Sequence, residues 1–421
     1  MDFLSDYLQY TSNTEAPATF HRWAAITGVG AVLRKTVWME FGSTKLYPNL
    51  YTMLVGDPGS RKSTAIKQMK QLLLASGYTT IAADKTTKEK FLIDLQEQQL
   101  GADPMKSEEA FVHFLETSLD ELEPACMLIA ADEFNDFTGN GNIEFYSTLG
   151  VLWDAVGTYK SRVKHGKSVS VHEPSISILA GNTSAGISLA FPPEVLGQGF
   201  ISRLLLVYGE NSGRRITFPP VPEKEKTDDL VKQLKEIQTL KGCITFSEES
   251  IETVDKIYQH WTDLPDVRFR SYSTRRLTQL FKVSTILCAA RFSRTVRVQE
   301  VVEANTYLAA IESRMPNALG EYGKSKHSDI SQKILKILTN ASGPVPVKVL
   351  WKEVHNDLDQ LRDLATLLQN LKEADKIQYT EAGFLPKVKT LASESAAKNS
   401  HLAFVDWKLL TKEEQSFYRV L

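Results

Sequence analysis

The chain has few cysteines and no long apolar run. Its three cysteines, Cys126, Cys243 and Cys288, are far apart in apolar surroundings, which argues against disulfide or metal roles and indicates a reducing compartment. No stretch comes near the roughly 20 apolar residues that a membrane-spanning helix requires. The first six residues lack the basic region of a secretion signal. We therefore expect a cytoplasmic protein with no membrane partner.

Net charge is also nearly absent. Lys and Arg number 49 and Asp and Glu number 51, so the formal charge is −2. Any contact with nucleic acid must then come from a local basic element, because the surface as a whole is not basic. The 421 residues predict two or three domains at about 100–200 residues each.

A phosphate-binding motif follows the first strongly apolar run. Residues 50–55 predict a buried strand, and residues 64–75 continue as a helical pattern without Gly or Pro. The loop between them fills the frame G-x-x-x-x-G-K-[ST], with an arginine in place of the second glycine. Its residues are Gly56, Asp57, Pro58, Gly59, Ser60, Arg61, Lys62, Ser63 and Thr64.

The chemistry of this motif is specific. Backbone N–H groups of the loop and of the helix N-terminus cradle phosphate, Lys62 neutralises its charge, and the Ser63 hydroxyl can hold Mg²⁺. A plain strand–turn–helix connection would need neither the Lys-Ser pair nor its position after the loop. The motif therefore predicts binding of a nucleoside triphosphate, with ATP and Mg²⁺ as cofactors.

A second apolar run, residues 126–131, ends in Asp132 and Glu133. Downstream of a phosphate loop, a buried strand ending in two carboxylates matches the Walker B arrangement. Asp132 would then hold Mg²⁺, and Glu133 would orient and deprotonate the attacking water. The alternative is an acidic turn after a core strand. On either side of this run, residues 79–83 predict a short strand and residues 142–157 predict a helix.

Two further strands carry a polar residue at one end. Residues 176–181 form a buried run followed by Asn182, whose amide can hold the lytic water or sense the γ-phosphate, although it could equally be a turn residue. Arg203 stands directly before the run 204–208, where it could project to the γ-phosphate of a neighbouring subunit or simply lie on the surface.

Residues 158–172 predict a basic β-hairpin with Gly166 in the turn. No acidic residue interrupts this stretch, the densest basic element of the chain, which suits contact with a sugar–phosphate backbone. A solvated hairpin whose charges aid solubility is the alternative. The candidate DNA-binding residues are Lys160, Arg162, Lys164, His165 and Lys167.

A proline-containing linker, residues 214–228, separates these strands from helical segments. Three helices and a hairpin within residues 327–390 form a winged-helix pattern, a relative of the helix-turn-helix. Its second and third helices are not basic, so DNA reading and protein docking both remain open for this module.

The order of Lys62-Ser63, Asp132-Glu133, Asn182 and Arg203 resembles that of an AAA+ ATPase core. The resemblance implies an α/β P-loop NTPase fold with a parallel sheet, a helical lid and a C-terminal winged-helix-like domain. The implied boundaries are 1–45 for an N-terminal helical lead-in, 46–215 for the core, 227–320 for the lid, 327–390 for the winged-helix-like domain and 391–421 for a tail.

Three segments resemble particular groups of helicase ATPases. Residues 273–280 are similar to the lid of minichromosome-maintenance helicases, which implies that Arg275 is the second sensor arginine, with Arg276 as the alternative; Thr274 replaces the family's proline. The pair Lys164-His165 is similar to the hairpin tip that tracks DNA in superfamily 3 viral helicases. Residues 20–64 resemble phage-encoded helicase ATPases found fused to or beside primases.

These resemblances imply an ATP-driven, ring-forming DNA helicase of a phage or mobile element. The implied assembly is a homo-hexamer acting on single-stranded or forked DNA, in the host cytoplasm if phage-encoded, with primase or other replisome proteins docking on the C-terminal domain. A replication initiator or helicase loader is the first alternative.

A protein-remodelling AAA+ machine is the second alternative. Its pore loop normally carries an aromatic-hydrophobic pair, whereas residues 83–88 are polar and basic. A metabolic kinase built on a phosphate loop would not need the lid or Arg203.

Overall fold

The computed structural model describes residues 2–100, 123–162, 168–191 and 199–320, and, with short gaps, 330–386 and 401–415. The gaps fall at residues 332, 336, 339–340, 342, 356, 359, 374–375 and 413. The chain divides into two compact units, Met1–Gly320 with Ser400–Leu421, and Glu321–Asn399.

An all-parallel sheet lies at the centre of the first unit. Its strand order is Cys126–Ala131, Ser175–Asn182, Tyr51–Val55 and Leu204–Tyr208. Almost every strand residue is buried, because helices cover both faces. The predicted α/β class and parallel sheet are confirmed.

The carboxyl ends of these strands meet at one edge of the sheet. Val55 pairs with Asn182, and Ala131 pairs with Ala180, so the segments after the three strands emerge side by side. Ligand sites of parallel sheets lie at this edge. The predicted strand at residues 79–83 is reduced to a single parallel bridge between Ile81 and Leu128.

Helices pack around this sheet. Their bounds are Phe3–Tyr10, Ala18–Val32, Lys62–Ala75, Lys88–Leu100, Phe134–Thr138, Ile143–Leu152 and Ser184–Ala190, with a 3-10 turn at Ile201–Arg203. Ala18–Val32 is buried on nearly every side, since it packs against both the sheet and Lys62–Ala75. The helix predicted over residues 142–157 begins after Asn142, whose side chain caps it, and ends at Leu152.

Small sheets border the core. Val37–Phe41 pairs antiparallel with Thr44–Leu46 and parallel with Gly242–Cys243. Thr158–Ser161 and Val169–His172 form the predicted antiparallel hairpin, and Thr245–Phe246 pairs parallel with Thr295–Val296.

A second group of helices follows the linker within the same unit. Their bounds are Lys224–Gln238, Glu248–Gln259, Arg270–Ser273, Arg276–Ala290, Val298–Glu312 and Met315–Leu319, with a 3-10 turn at Val267–Phe269. The 3-10 turns His401–Phe404 and Trp407–Leu409 also belong to this unit. The late segment is held by a buried ion pair of 2.7 Å between Arg22 and Glu414.

The second unit has its own apolar core. It contains the helices Val347–Val354 and Leu361–Glu373 and an antiparallel hairpin of Ile377–Thr380 with Gly383–Pro386. Buried side chains at Ile330, Ile334 and Leu338 recur every four residues and join the same core, as one face of a helix would.

Candidate functional site

The phosphate loop connects the fully buried strand Tyr51–Val55 to the helix Lys62–Ala75. Gly56 begins it, and a Cβ there would come within 2.4 Å of the Gly209 carbonyl, so no larger residue fits. Arg61, the departure from the motif, has φ 66° and ψ 26°. It thus keeps the left-handed backbone that glycine adopts without cost, at a penalty of about 1–2 kcal/mol for a residue with a Cβ.

Lys62 points back into the loop. Its Nζ donates to the carbonyl oxygens of Gly56 at 2.8 Å and Asp57 at 3.1 Å, and contacts Ser60 Oγ at 3.3 Å. Burial lowers the pKa of Lys62, while the carboxylates of Glu133 and Asp57 oppose that shift. No side chain caps the helix that starts at Lys62, so its first N–H groups are left for a ligand.

The acidic pair follows the strand Cys126–Ala131, which one intervening strand separates from the phosphate-loop strand. Asp132 Oδ2 lies 2.8 Å from Nζ of Lys67, a residue of the phosphate-loop helix. Partial burial of its carboxyl raises the pKa of Glu133, and Lys62 acts in the opposite direction. The pair therefore faces two lysines of the loop and helix, which places both carboxylates beside the phosphate-binding motif.

Among the described residues, no group of three or more His, Cys, Asp or Glu side chains could hold a metal ion. Ser63 and Asp132 would supply at most two protein ligands. That number fits Mg²⁺, which usually keeps several waters and binds one or two carboxylates together with substrate phosphates.

Asn182 ends the strand that lies between the phosphate-loop strand and the acidic strand. Its backbone oxygen accepts from Gly56 N at 3.3 Å. Its side chain is fully buried: Oδ1 accepts from Thr183 N, and Nδ2 donates to Asn135 Oδ1 at 2.9 Å. The amide group has a second N–H in addition to the one given to Asn135.

Asn135 is a residue that sequence reasoning missed. It lies two positions after Glu133, and its own Nδ2 donates to Gly186 O at 2.9 Å. It therefore fixes the orientation of the Asn182 amide relative to the acidic segment. The only sequence signal was its closeness to the acidic pair.

A cavity of about 570 Å³ adjoins the phosphate loop. Its lining includes Tyr10, Asn13, Glu15, Arg61, Thr64, Gln68 and Pro220. Arg61 contributes to this wall because its guanidinium pairs with Glu15, which also accepts from Ile216 N at 2.7 Å. The hydrogen bond from the Ile216 N–H lowers the pKa of Glu15, and the Arg61 guanidinium lowers it further. Neither Glu15 nor this cavity was predicted.

Arg203 and Arg275 lie together at the amino-terminal ends of the sheet strands, opposite the ends that carry the phosphate loop. Arg203 precedes Leu204, which pairs with Tyr51 at the start of the phosphate-loop strand. Both arginines contact the same carboxylate, Asp154. Arg276, the alternative to Arg275, is fixed in a buried ion pair with Glu312 at 3.1 Å.

Of the predicted DNA-binding residues, the structure describes two. Lys160 lies in the first hairpin strand, opposite Ser170, and Arg162 follows that strand; both are exposed. Lys164, His165 and Lys167 lie outside the described residues.

Within the described ranges, no helix is both long enough and apolar enough to cross a membrane. No protein-family model matches the sequence. A search of curated proteins likewise found no match.

Proposed function

We propose that this protein is an ATP-driven, ring-forming DNA helicase that moves on single-stranded DNA and belongs to a phage or mobile element. One observation carries the proposal. A lysine-bearing loop, an acidic pair and an asparagine on the strand between them share the carboxyl edge of one parallel sheet.

The loop is suited to hold a triphosphate. Its backbone N–H groups and the uncapped helix start would cradle the phosphates, and Lys62 would exchange the carbonyls of Gly56 and Asp57 for phosphate oxygens. Ser63 and Asp132 would hold Mg²⁺ after Lys67 releases Asp132. When bound, Mg²⁺ neutralises charge on the transferring phosphoryl group.

Glu133 and Asn182 would handle the attacking water. A carboxylate with a raised pKa is a better proton acceptor near neutral pH, which suits Glu133 as general base. Asn182, held by Asn135, could offer its second amide N–H to the water or to the γ-phosphate.

The nucleoside would occupy the cavity next to Arg61. Its volume of about 570 Å³ lies in the usual range for small-molecule sites, roughly 300–1,000 Å³. Thr64 lines this cavity and also belongs to the phosphate motif, so a ligand bound there would extend directly into the loop.

The position of Arg203 supports assembly into a ring. An arginine at the edge opposite its own phosphate loop can reach a nucleotide only on another copy. Supplied in trans, such an arginine is worth about 10³–10⁵ in rate in related phosphoryl-transfer enzymes. A homo-hexamer is the assembly that the resemblance favours.

The basic hairpin would contact DNA within the ring. Lys160 and Arg162 are exposed and precede Lys164, His165 and Lys167 in the sequence. Positive side chains bind the phosphate backbone independently of its base sequence. Residues 327–390 would dock primase or another replisome protein.

The test is the ATPase rate with single-stranded DNA, duplex DNA, RNA or no addition. We expect strong stimulation by single-stranded DNA, and loss of stimulation and of unwinding in Lys164→Ala/His165→Ala, with basal hydrolysis retained. Lys232→Ala/Lys235→Ala, on exposed positions of Lys224–Gln238, removes at least as much positive charge elsewhere and should behave as wild type. Wild-type unwinding in the hairpin variant would reject the hairpin role.

An initiator or helicase loader is the second candidate. The helices and hairpin of the second unit favour it, since this is the composition of a winged-helix module. Strand displacement on a forked substrate supports the helicase, whereas ATP-dependent DNA binding without displacement supports the initiator. An ATPase rate that no nucleic acid changes would instead favour a protein-remodelling function.

A further inference from the structure

One buried amide joins the two chain segments at the root of the basic hairpin. The chain enters the hairpin after Trp153 and has returned to the central sheet at Ile176. Asn49 Nδ2 donates to the Trp153 carbonyl oxygen at 2.9 Å and to the Ile176 carbonyl oxygen at 3.1 Å. The side chain of Asn49, which is buried, thus fastens the entering segment to the returning one.

Lys35 joins the same two segments a second time. Its buried Nζ donates to the carbonyl oxygens of Ala155 at 2.7 Å and Pro174 at 3.4 Å, and it pairs with the carboxylate of Glu173. Glu173 Oε1 in turn accepts from Gly157 N at 2.6 Å. The backbone of Glu173 is left-handed, with φ 44°, a conformation that a non-glycine residue keeps only where its surroundings fix it.

Lys282 connects this root to the helix Arg276–Ala290. Its Nζ donates to Asn49 Oδ1 at 2.6 Å and to Asn49 O at 3.1 Å, and it lies 3.9 Å from the centroid of the Trp153 ring. Burial lowers the pKa of Lys282, because a charge removed from water is costly unless its donors find acceptors. A hydrogen-bonded path therefore runs from the helix through Asn49 to both sides of the hairpin root.

The path fixes a segment that regular structure does not. Residues 153–157 belong to neither a helix nor a strand. Apolar side chains of similar volume could fill the same space at no greater cost, as replacements of buried ion pairs show in other proteins. A satisfied polar network differs from them because its hydrogen bonds fix direction as well as distance. It gives the hairpin root one definite position.

We propose that Lys35, Asn49 and Lys282 are positioning residues for the basic hairpin, and that Lys282 makes the hairpin keep its place relative to the helix Arg276–Ala290. The inference rests on the proposed contact of the hairpin with DNA. A hairpin held in this way presents its basic side chains to DNA at one position. A shift of the helix would be passed to the hairpin root through the Lys282–Asn49 contact.

Two variants cut the path at different points. Lys282→Met removes the link to the helix and leaves both bonds from Asn49 Nδ2. Asn49→Asp keeps an acceptor for Lys282 and removes both N–H donors to the root. We measure the stimulation factor, the ATPase rate with saturating single-stranded DNA divided by the rate without DNA. It should fall at least about twofold in each variant.

The double variant tests whether the two residues act as one path. Because either change alone breaks the connection, Lys282→Met with Asn49→Asp should lower the stimulation factor no further than the stronger single change. Losses that multiply would overturn the shared path. Lys35→Met with Glu173→Gln removes both charges of the second join together and should also lower the factor.

Gln233→Met is the matched control. Gln233 is buried and donates to Asp6 Oδ2 at 2.8 Å, so this change breaks a buried polar contact of the same unit that does not involve the hairpin. It should lower the temperature of thermal unfolding and leave the stimulation factor unchanged. An equal fall of the factor in Gln233→Met would reduce the effect to a general loss of stability and overturn the positioning role.

Amide hydrogen exchange over residues 153–157 tests the path without DNA. Exchange should be faster in Lys282→Met and Asn49→Asp than in wild type, and unchanged in Gln233→Met. Wild-type exchange, or a wild-type stimulation factor, in both folded variants would overturn the inference. If DNA fails to stimulate the wild-type ATPase, the proposed DNA function is rejected, and the exchange rates alone decide whether the path holds the hairpin root.

Discussion

Arg61 shows how one residue can depart from a motif while its backbone does not. It occupies the glycine position of the phosphate loop in a left-handed conformation, φ 66°, and its guanidinium pairs with Glu15. The sequence predicted the loop but not this tether, because Glu15 lies in a different segment and pairs only after folding. The residue thus ties the phosphate loop to the N-terminal segment.

The left-handed backbone at Arg61 can be tested with two truncations. Both Arg61→Gly and Arg61→Ala remove the pair with Glu15, but only glycine adopts φ 66° without strain. We expect Arg61→Gly to be more stable than Arg61→Ala by about 1 kcal/mol in chemical denaturation. Equal stabilities would show that the loop relaxes to another conformation.

His21 is a buried histidine that should make the fold sensitive to acid. Its Nε2 contacts Thr14 Oγ1 at 2.7 Å, and burial, aided by Arg214, lowers its pKa to about 4. In the unfolded chain a histidine titrates near 6.5. The unfolded state therefore binds the proton first, so the contribution of neutral His21 is complete above pH 6.5 and is lost as the pH falls toward 4.

The measurement is the free energy of unfolding at pH 7 and pH 5. The stability difference between wild type and His21→Asn should shrink at the lower pH, since the variant has no imidazole to protonate. His355→Asn removes an imidazole at an exposed position of the second unit and serves as the control. A difference for His21→Asn that stays constant would contradict the lowered pKa.

At the scale of elements, the strands were predictable because each is buried on both faces and therefore reads as a continuous apolar run. The boundaries of the elements were less predictable. The strand predicted at residues 79–83 is only one bridge. The helix after Asn142 ends five residues earlier than predicted, at Leu152 rather than at residue 157. Sequence patterns report local burial, whereas the ends of elements depend on contacts with other segments.

Gly181 allows the strand that ends at Asn182 to pack closely against the acidic segment of the candidate site. A Cβ there would lie 2.3 Å from the Asp132 carbonyl oxygen, a backbone atom of the acidic segment. We expect Gly181→Ala to destabilise the protein by about 1–3 kcal/mol and, under the proposed function, to reduce ATP hydrolysis, because Asp132 and Glu133 must shift. Thermal unfolding and the ATPase rate measure the two effects.

Gly150→Ala is the matched control for Gly181→Ala. Gly150 lies in the helix Ile143–Leu152, and a Cβ there meets its nearest neighbour at 3.7 Å, an ordinary contact. Since alanine favours a helix over glycine, this variant should be as stable as wild type or more so. An equal loss of stability in both variants would show that the Gly181 effect is not local.

At the scale of the whole molecule, the late segment of the chain completes the first unit. Arg22 and Glu414 are 4% and 3% exposed and lie 2.7 Å apart. Nothing local links residues so distant in sequence, and residues 391–421 were expected to be a tail. The shared contact of Arg203 and Arg275 with Asp154 escaped prediction for the same reason, although both arginines were named from motif order.

Glu414→Ala should destabilise the first unit strongly. The change leaves the buried guanidinium of Arg22 without its carboxylate, which typically costs about 3–5 kcal/mol. Glu223→Ala breaks an exposed pair with Lys226 and should cost less than about 1 kcal/mol. Thermal unfolding of both variants checks this, and similar losses would mean that the Arg22 pair is not a buried anchor.

The two functional edges of the central sheet also have a consequence for symmetry. Under the proposed function, one end of the sheet in each copy receives Arg203 from a neighbour and the other end provides Arg203, so the contact is head-to-tail. A two-fold dimer, in which both copies use the same face, completes neither nucleotide site. An open row of copies leaves the nucleotide site at one end without the arginine of a neighbour. Only a closed ring completes every site, so ATP hydrolysis per subunit should rise until the ring closes.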